Sequence, residues 1–281
     1  MSVSSAAAQP VLSPGIPCWV ELASPDIAEA EAFYNGLFGW SFELKRDPAT
    51  SDGRYSLASL GGFSVGGLYR AATSQPPGWT VHLSVHNTAG AAEWVEHLGG
   101  VVTLGPVAIP NRGNIVHALD PTGTPIVFWQ PTADWEFAAG APNTFSGADL
   151  NTTDGSAADQ FYSRLFNYQV HHIGGENIDY AEWRLDHQPV LYRYVMGPEY
   201  RPGTPAHWMI YFEVDPARGA DAAAGHALML GGSVVVQPYD TPFGRVAVLA
   251  DPHGSVFSVI DHSRVIEAQY GGAEVDDPYD D

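Results

Sequence analysis

Two short stretches hold side chains suited to moving protons. Residues 17–22 read PCWVEL and residues 79–85 read WTVHLSV. Both alternate as strands do, which puts Trp19 and Glu21 on one face of the first. A carboxylate beside an imidazole is an acid–base unit, in which the acid orients the ring and the ring passes the proton. Glu21 and His82 are the candidates for that role. A plainer reading has Glu21 accepting hydrogen bonds near a strand end and His82 packed as a satisfied polar residue. The sequence leaves both open.

Other titratable groups have simpler explanations. Asp120-Pro121 and Asp251-Pro252 each open a Pro-x-Gly turn between strands, and turn formation accounts for their carboxylates. Arg112 and Arg245 lie near the last hairpins of the two halves and could meet an anion, although solvated loop positions are the expectation. His207 follows the Pro-bearing GTPA and His253 sits in the turn DPHG, both places for surface side chains. His171 and His172 are neighbours on a strand and face opposite ways, which argues against a shared metal. The stretch GGFSVGG falls within strand pairing, so it is no phosphate loop. No Ser-His-Asp or Cys-His set stands out.

The elements that must position these residues come in a repeat. AEAFYNGLFGW at 30–40 returns as ADQFYSRLFNY at 158–168. Phe33-Tyr34 matches Phe161-Tyr162, Trp79 matches Trp208, Gly99-Gly100 matches Gly231-Gly232, and Asp120-Pro121 matches Asp251-Pro252. The offsets drift by a few residues around 130, which is a tandem duplication at domain length rather than a solenoid. Each copy holds the pattern strand, helix, three strands twice. The four units run over roughly 17–70, 78–131, 144–197 and 206–261. In the first helix Ser24 is the expected N-cap, with Pro25 at the first helical position and Gly39 as the stop. Ile27, Ala30, Phe33, Tyr34 and Leu37 form its core-facing stripe. The fold class is therefore α+β, with curved antiparallel sheets whose concave faces form cups for a small molecule. Residues 1–16 read as an arm, 17–131 and 144–262 as the two domains, and 263–281 as an acidic, solvated tail.

Composition sets the outer limits. The chain has 281 residues, 32 acids against 12 bases and a formal charge of −20, a surface that repels phosphate backbones and anionic lipid. Nucleic acid and membranes are not expected partners. Cys18 is the single cysteine, so there is no internal disulfide or thiolate cluster. No basic leader or membrane-length apolar run is present, and a cytoplasmic location is the default expectation.

This layout, with FYNGLFGW after the first strand and DPTGTPIVFWQ or DPHGSVFSVI closing each copy, resembles the vicinal oxygen chelate superfamily. That group includes glyoxalase I, bleomycin-resistance proteins and extradiol dioxygenases. With CWVEL, HWMIYFEVDP and GRVAVLADPHGSVFSV, the chain is most similar to tandem actinobacterial glyoxalase-like proteins, among them a mycobacterial antigen and antibiotic-pathway "hydroxylases". The resemblance covers residues 17–262 and implies four βαβββ units in two glyoxalase-like domains. Family enzymes hold a divalent metal through His, Gln or Glu on the first, fifth and last strands of a domain. Those positions fall here on Trp19, Thr80 and Val127 in copy one, and on Gly147, Met209 and Ser258 in copy two. None is an ordinary ligand. A one-residue slip reaches Cys18, Val81 and Phe128, which face away from the cup. A two-residue shift reaches Glu21, His82 and Trp129, and Asp149, Tyr211 and Ile260. Two donors in copy one cannot close a catalytic metal site, so no metal or other cofactor is expected. Trp19, Trp129, Met209 and Tyr211 should instead line the cups, with Tyr55 and Trp183 nearby. The resemblance then implies a metal-independent binder of a hydrophobic or aromatic small molecule, in antibiotic biosynthesis or resistance. A tailoring lyase, isomerase or hydroxylase-like enzyme working through Glu21 and His82 is the alternative. The chain is expected as a monomer or homodimer, because fusion of the copies removes one need for dimerisation.

Overall fold

The computed structural model describes residues 12–175 and 177–265. The acidic tail from 266 onward and the first eleven residues of the arm lie outside the described residues. Copy one runs β1 (Pro17–Ser24), α1 (Ile27–Phe38), β2 (Ser41–Arg46), β3 (Arg54–Leu60), β4 (Phe63–Arg70), β5 (Gly78–Ser84), α2 (Thr88–His97), β6 (Val101–Ile109), β7 (Gly113–Leu119) and β8 (Pro125–Pro131). Copy two repeats it as β9 (Phe145–Thr152), α3 (Gly155–Phe166), β10 (Gln169–His172), β11 (Tyr180–Leu185), β12 (Gln188–Val195), β13 (His207–Glu213), α4 (Gly219–Met229), β14 (Ser233–Thr241), β15 (Gly244–Ala250) and β16 (Val256–Asp261). The result is the α+β class with four βαβββ units.

Each copy builds one eight-stranded sheet, ordered β2-β3-β4-β1-β5-β8-β7-β6 and β10-β11-β12-β9-β13-β16-β15-β14. The two units of a copy join where β1 pairs antiparallel with β5, and β9 with β13. The concave faces thus form within a copy. The helices lie on the opposite face and meet those of the other copy, so the two sheets sandwich a shared core.

Local chemistry sets the helix ends. Asp26 is the N-cap of α1, its carboxylate accepting from the Glu29 amide at 3.1 Å, while Ser24 Oγ instead donates to the Asp26 carbonyl. The cap falls two residues later than expected because the helix begins at Ile27: Asp26 is still extended, at φ −131° and ψ 106°, and Pro25 lies before the helix. Gly39 ends the helix in the left-handed region at φ 76°, its amide donating to the Asn35 carbonyl. The repeated aromatic stretch packs between the copies. Phe38 and Trp79 each lie 5.1 Å from the Phe212 ring of copy two, and Phe33 and Tyr34 approach Phe257. Two hydrogen bonds cross reciprocally: Tyr34 Oη donates to Asp251 Oδ2 at 3.3 Å, and Tyr162 Oη to Asp120 Oδ2 at 3.0 Å. The other oxygen of each aspartate caps its own Pro-x-Gly turn, accepting the amides of Thr122 and Thr124, or of His253 and Ser255.

Candidate functional site

Strand register decides which side chains share each concave face, because directly paired residues point the same way. In copy one Glu21 pairs with Gly67 and Thr80, Trp19 with His82, His82 with Val127, and Val127 with His117. Tyr55 pairs with Tyr69 further along. These residues form the floor of the first concavity. Glu21 Oε1 and His82 Nε2 come within 3.2 Å, but without hydrogen-bond alignment, so both ring nitrogens lack a partner among the described residues. Tyr55 Oη donates to Glu21 Oε2 at 3.4 Å and itself accepts from Trp19 Nε1 at 2.6 Å. Gly67 is required there, since a Cβ would sit 2.2 Å from the Tyr55 oxygen.

Charge gathers under this floor. Arg112 is buried, paired with Asp47, and its guanidinium carbon lies 4.5 Å from the Tyr55 ring centre. The expectation of a solvated loop arginine is corrected: the β6–β7 turn folds inward, and Asp47 beyond β2 supplies the counter-ion. His117, which sequence reading passed over, faces the same group. Burial holds its imidazole below the ordinary value. Burial alone would raise the Glu21 carboxyl, but His82, His117 and Arg112 outweigh it and the net direction is down.

The first concavity is filled. Trp135 and Phe137, from the linker between the copies, lie over it. Trp135 is 4.8 Å from Trp19 and 4.4 Å from Trp129, ring centre to ring centre, and its Nε1 donates to the Cys18 carbonyl at 3.2 Å. Trp19 and Trp129 meet edge-on at 5.9 Å, so no slot remains between them. Glu21 and His82 are closed beneath, 5 % and 1 % exposed. A cleft of about 330 Å³ bordered by Val85, Gln130, Thr132 and Trp135 opens on the outer side of this plug. A second, of about 320 Å³, lies on the helical side between Leu37, Phe38, Val214, Arg218 and His226, away from both concave faces.

Copy two has the same plan with different contents. Asp149 pairs with Met209 and Tyr192, Tyr211 with Gly147 and Ser258, and Tyr180 with Tyr194. Counting through the duplication, Gly147 stands for Trp19, Asp149 for Glu21, Tyr211 for His82, Tyr180 for Tyr55 and Tyr192 for Gly67. The acid and its tyrosine persist: Tyr180 Oη donates to Asp149 Oδ2 at 3.2 Å, and Tyr211 Oη to the same oxygen at 2.9 Å. The filler is gone. A Cβ built on Gly147 meets nothing within 4 Å. Tyr180 stacks on Tyr192 at 5.8 Å, and Phe243 packs against both. Phe243 and Tyr239 are exposed at the rim, whereas Tyr180, Tyr192 and Tyr211 are only partly covered. Burial raises the Asp149 carboxyl to about 7 against the two tyrosine hydrogen bonds. Ser258 Oγ is buried with no hydrogen-bond partner among the described residues.

Trp183 does not belong to this face. It packs on the helical side, fully buried against Tyr162 and stacked on Tyr168, with its Nε1 donating to Asp159 at 2.8 Å. Glu182 takes the concave side, between His171 and Arg184. His172 faces Asp179, His207 Nε2 lies 3.3 Å from Asn151 Nδ2, and His253 pairs with Glu29. Arg245 bridges Asp221 and Asp240 near the surface.

Whether these residues fit a family-type metal can be judged from the donors. Trp19, Thr80, Val127, Gly147, Met209 and Ser258 place no imidazole or carboxylate where the resemblance puts ligands. Among the described residues no three His, Cys, Asp or Glu side chains converge as a ligand set. The donor set does not fit a metal held by side chains.

The comparisons agree with this architecture. A family model for the glyoxalase-like domain matches residues 147–260. The anthracycline biosynthesis protein DauV of Streptomyces sp. (strain C5) is 31% identical over 279 residues, covering 93% of this chain and 98% of that protein. CFP32 of Mycobacterium bovis is 33% identical over 257 residues, covering 88% of this chain and 94% of its own length. The Mn(II)-bound glyoxalase from Novosphingobium aromaticivorans superposes with a TM-score of 0.64 at 16% identity, over 89% of this chain and 83% of that one. Among the described residues no helix is long and apolar enough to cross a membrane.

Proposed function

The chain belongs to the glyoxalase-like family, and from that premise we propose that it serves secondary metabolism by holding a planar aromatic small molecule on the concave face of its second copy, with no metal gripped by its side chains. One observation carries this reading: the duplication replaces Trp19 by Gly147 and leaves open space beside a wall of tyrosines. An aromatic ligand seated there gains apolar burial, plus about 0.5–1.5 kcal/mol for each well-placed ring contact. Asp149 and the tyrosine hydroxyls supply the few polar groups that fix orientation. The anthracycline-pathway relative favours a fused-ring polyketide as the ligand class.

The test is a titration of the full chain with 1,4-dihydroxyanthraquinone, followed by tryptophan fluorescence quenching. Gly147→Trp refills the space as copy one does and weakens binding at least about ten-fold, the scale of one lost ring contact with its burial. Gly147→Leu gives a smaller loss with less risk to folding. Equal affinity in wild type and both variants would move the site elsewhere. Elemental analysis after purification without chelators tests the other half of the proposal: a stoichiometric metal held by side chains refutes it. The alternative, acid–base chemistry at Glu21 and His82, is supported by their 3.2 Å approach, but a substrate reaches them only if Trp135 leaves.

A further inference from the structure

We propose that Asp149 transfers a proton on a ketone bound in the second concavity, giving the protein a keto–enol isomerase activity toward fused-ring carbonyl compounds. The inference rests on the binding reading above and adds chemistry to it.

Three features point to Asp149. It stands two residues from Gly147 on the same strand face, next to that open space and itself buried at 7 % exposure. Both of its hydrogen bonds, from Tyr180 and Tyr211, go to Oδ2, and Oδ1 has no partner among the described residues. No Lys, Arg or His side chain pairs with it among the described residues, in contrast to Glu21, which faces His82. A carboxylate held by two phenols in an apolar cup is oriented without being neutralised, and that keeps it basic enough to act near neutrality. The burial that raises its proton affinity to about 7 agrees with this geometry.

The step needs no oxidant, reductant or co-reactant. Asp149 Oδ1 takes a proton from a carbon beside the carbonyl. The C–H pair becomes the new C=C bond, and the carbonyl π pair moves onto oxygen. The carboxylic acid then returns the proton to that oxygen, which leaves an enol and the starting carboxylate. The reverse path delivers the proton to carbon. The substrate class is thus an aromatic-fused ketone with an acidic C–H next to the carbonyl.

The probe is 2-tetralone, a ketone fused to one aromatic ring, with the full chain in D2O. Deuterium incorporation at C1 is followed by NMR, and binding by saturation transfer in the same tube. Wild type should accelerate exchange about a hundred-fold over buffer, within the range of positioned acid–base groups. At saturating 2-tetralone Asp149→Asn should fall to the buffer rate, and Asp149→Glu should recover part of the exchange. Binding by wild type without faster exchange, or full exchange in Asp149→Asn, overturns the proton transfer and leaves the binding site standing. Failure of wild type to bind 2-tetralone while it binds dihydroxyanthraquinone overturns the proton transfer alone; failure to bind either overturns both.

Discussion

At the residue scale the duplication has given two related acids opposite electrostatics. Glu21 faces a histidine and a buried arginine, and its carboxyl is held below its ordinary value of 4.5. Asp149 faces phenols alone and rises from 3.8 to about 7. The linkage signs follow. For Glu21 the native state favours the carboxylate, so its stabilisation is present above about pH 4.5 and is lost as pH falls through the native value. For Asp149 the native state holds a proton that the unfolded chain releases, so its contribution is fullest below pH 3.8 and is lost as pH rises to about 7, at most roughly 4 kcal/mol. Urea melts from about pH 4 to pH 8 should therefore show Asp149→Asn gaining on wild type as pH rises. Glu21→Gln should lose about 3 kcal/mol at neutral pH, and the deficit should shrink in acid. Parallel pH profiles for both variants and wild type would contradict these environments.

At the element scale, the linker between β8 and β9 determines which cup is available. Trp135 and Phe137 cap the Trp19–Trp129 pair in the way a ligand would, and the first concavity becomes a small satellite core with Tyr55, Ile109, Ile115 and Val127. Trp135→Ala should lower stability by about 2–3 kcal/mol, below a full core truncation because the ring is only partly buried. Dihydroxyanthraquinone affinity should be unchanged, since the second cup is untouched; a large rise would place a ligand site in copy one, whose cup Trp135 fills. The strands and helices themselves were legible because alternation and helical spacing are local signals. The plug was not, since TADWEFAAG has no period to say which face it covers. Trp183 was misplaced for a related reason. The strand YAEWRL carries large side chains on both faces, and only pairing with β12 decides that Glu182 looks into the cup. Arg112 was misread because its partner Asp47 lies 65 residues away. Glu21, His82, Asp149 and Tyr211 could be placed on concave faces by strand alternation counted from the positions the family resemblance implies; their access to a ligand depended on the linker and on one glycine.

At the scale of the whole molecule the two copies share one buried core. Each contributes its repeated Phe-Tyr helix face to a core that runs across both, so neither sheet has a complete hydrophobic layer alone. Gly36 marks how close they come: a Cβ there would lie 2.7 Å from Leu230 on the other copy. The crossed Tyr–Asp bonds tie this core to the turns that close each final hairpin. Tyr34 also accepts from Trp79 Nε1 at 3.0 Å, so its hydroxyl bridges a buried donor and a buried acceptor. Tyr34→Phe strands both and should cost about 1–3 kcal/mol, and Tyr162→Phe should cost a similar or smaller amount, as its hydroxyl serves Asp120 alone. Calorimetry should give a single transition for wild type and for each variant, shifted down as a whole, because the lost bond belongs to both copies at once. The double variant should shift further by nearly the sum, the two bonds being in separate places. A melt that splits into two transitions in either single variant would mean that the copies fold independently and that the aromatic layer between them contributes little to holding the cups in place.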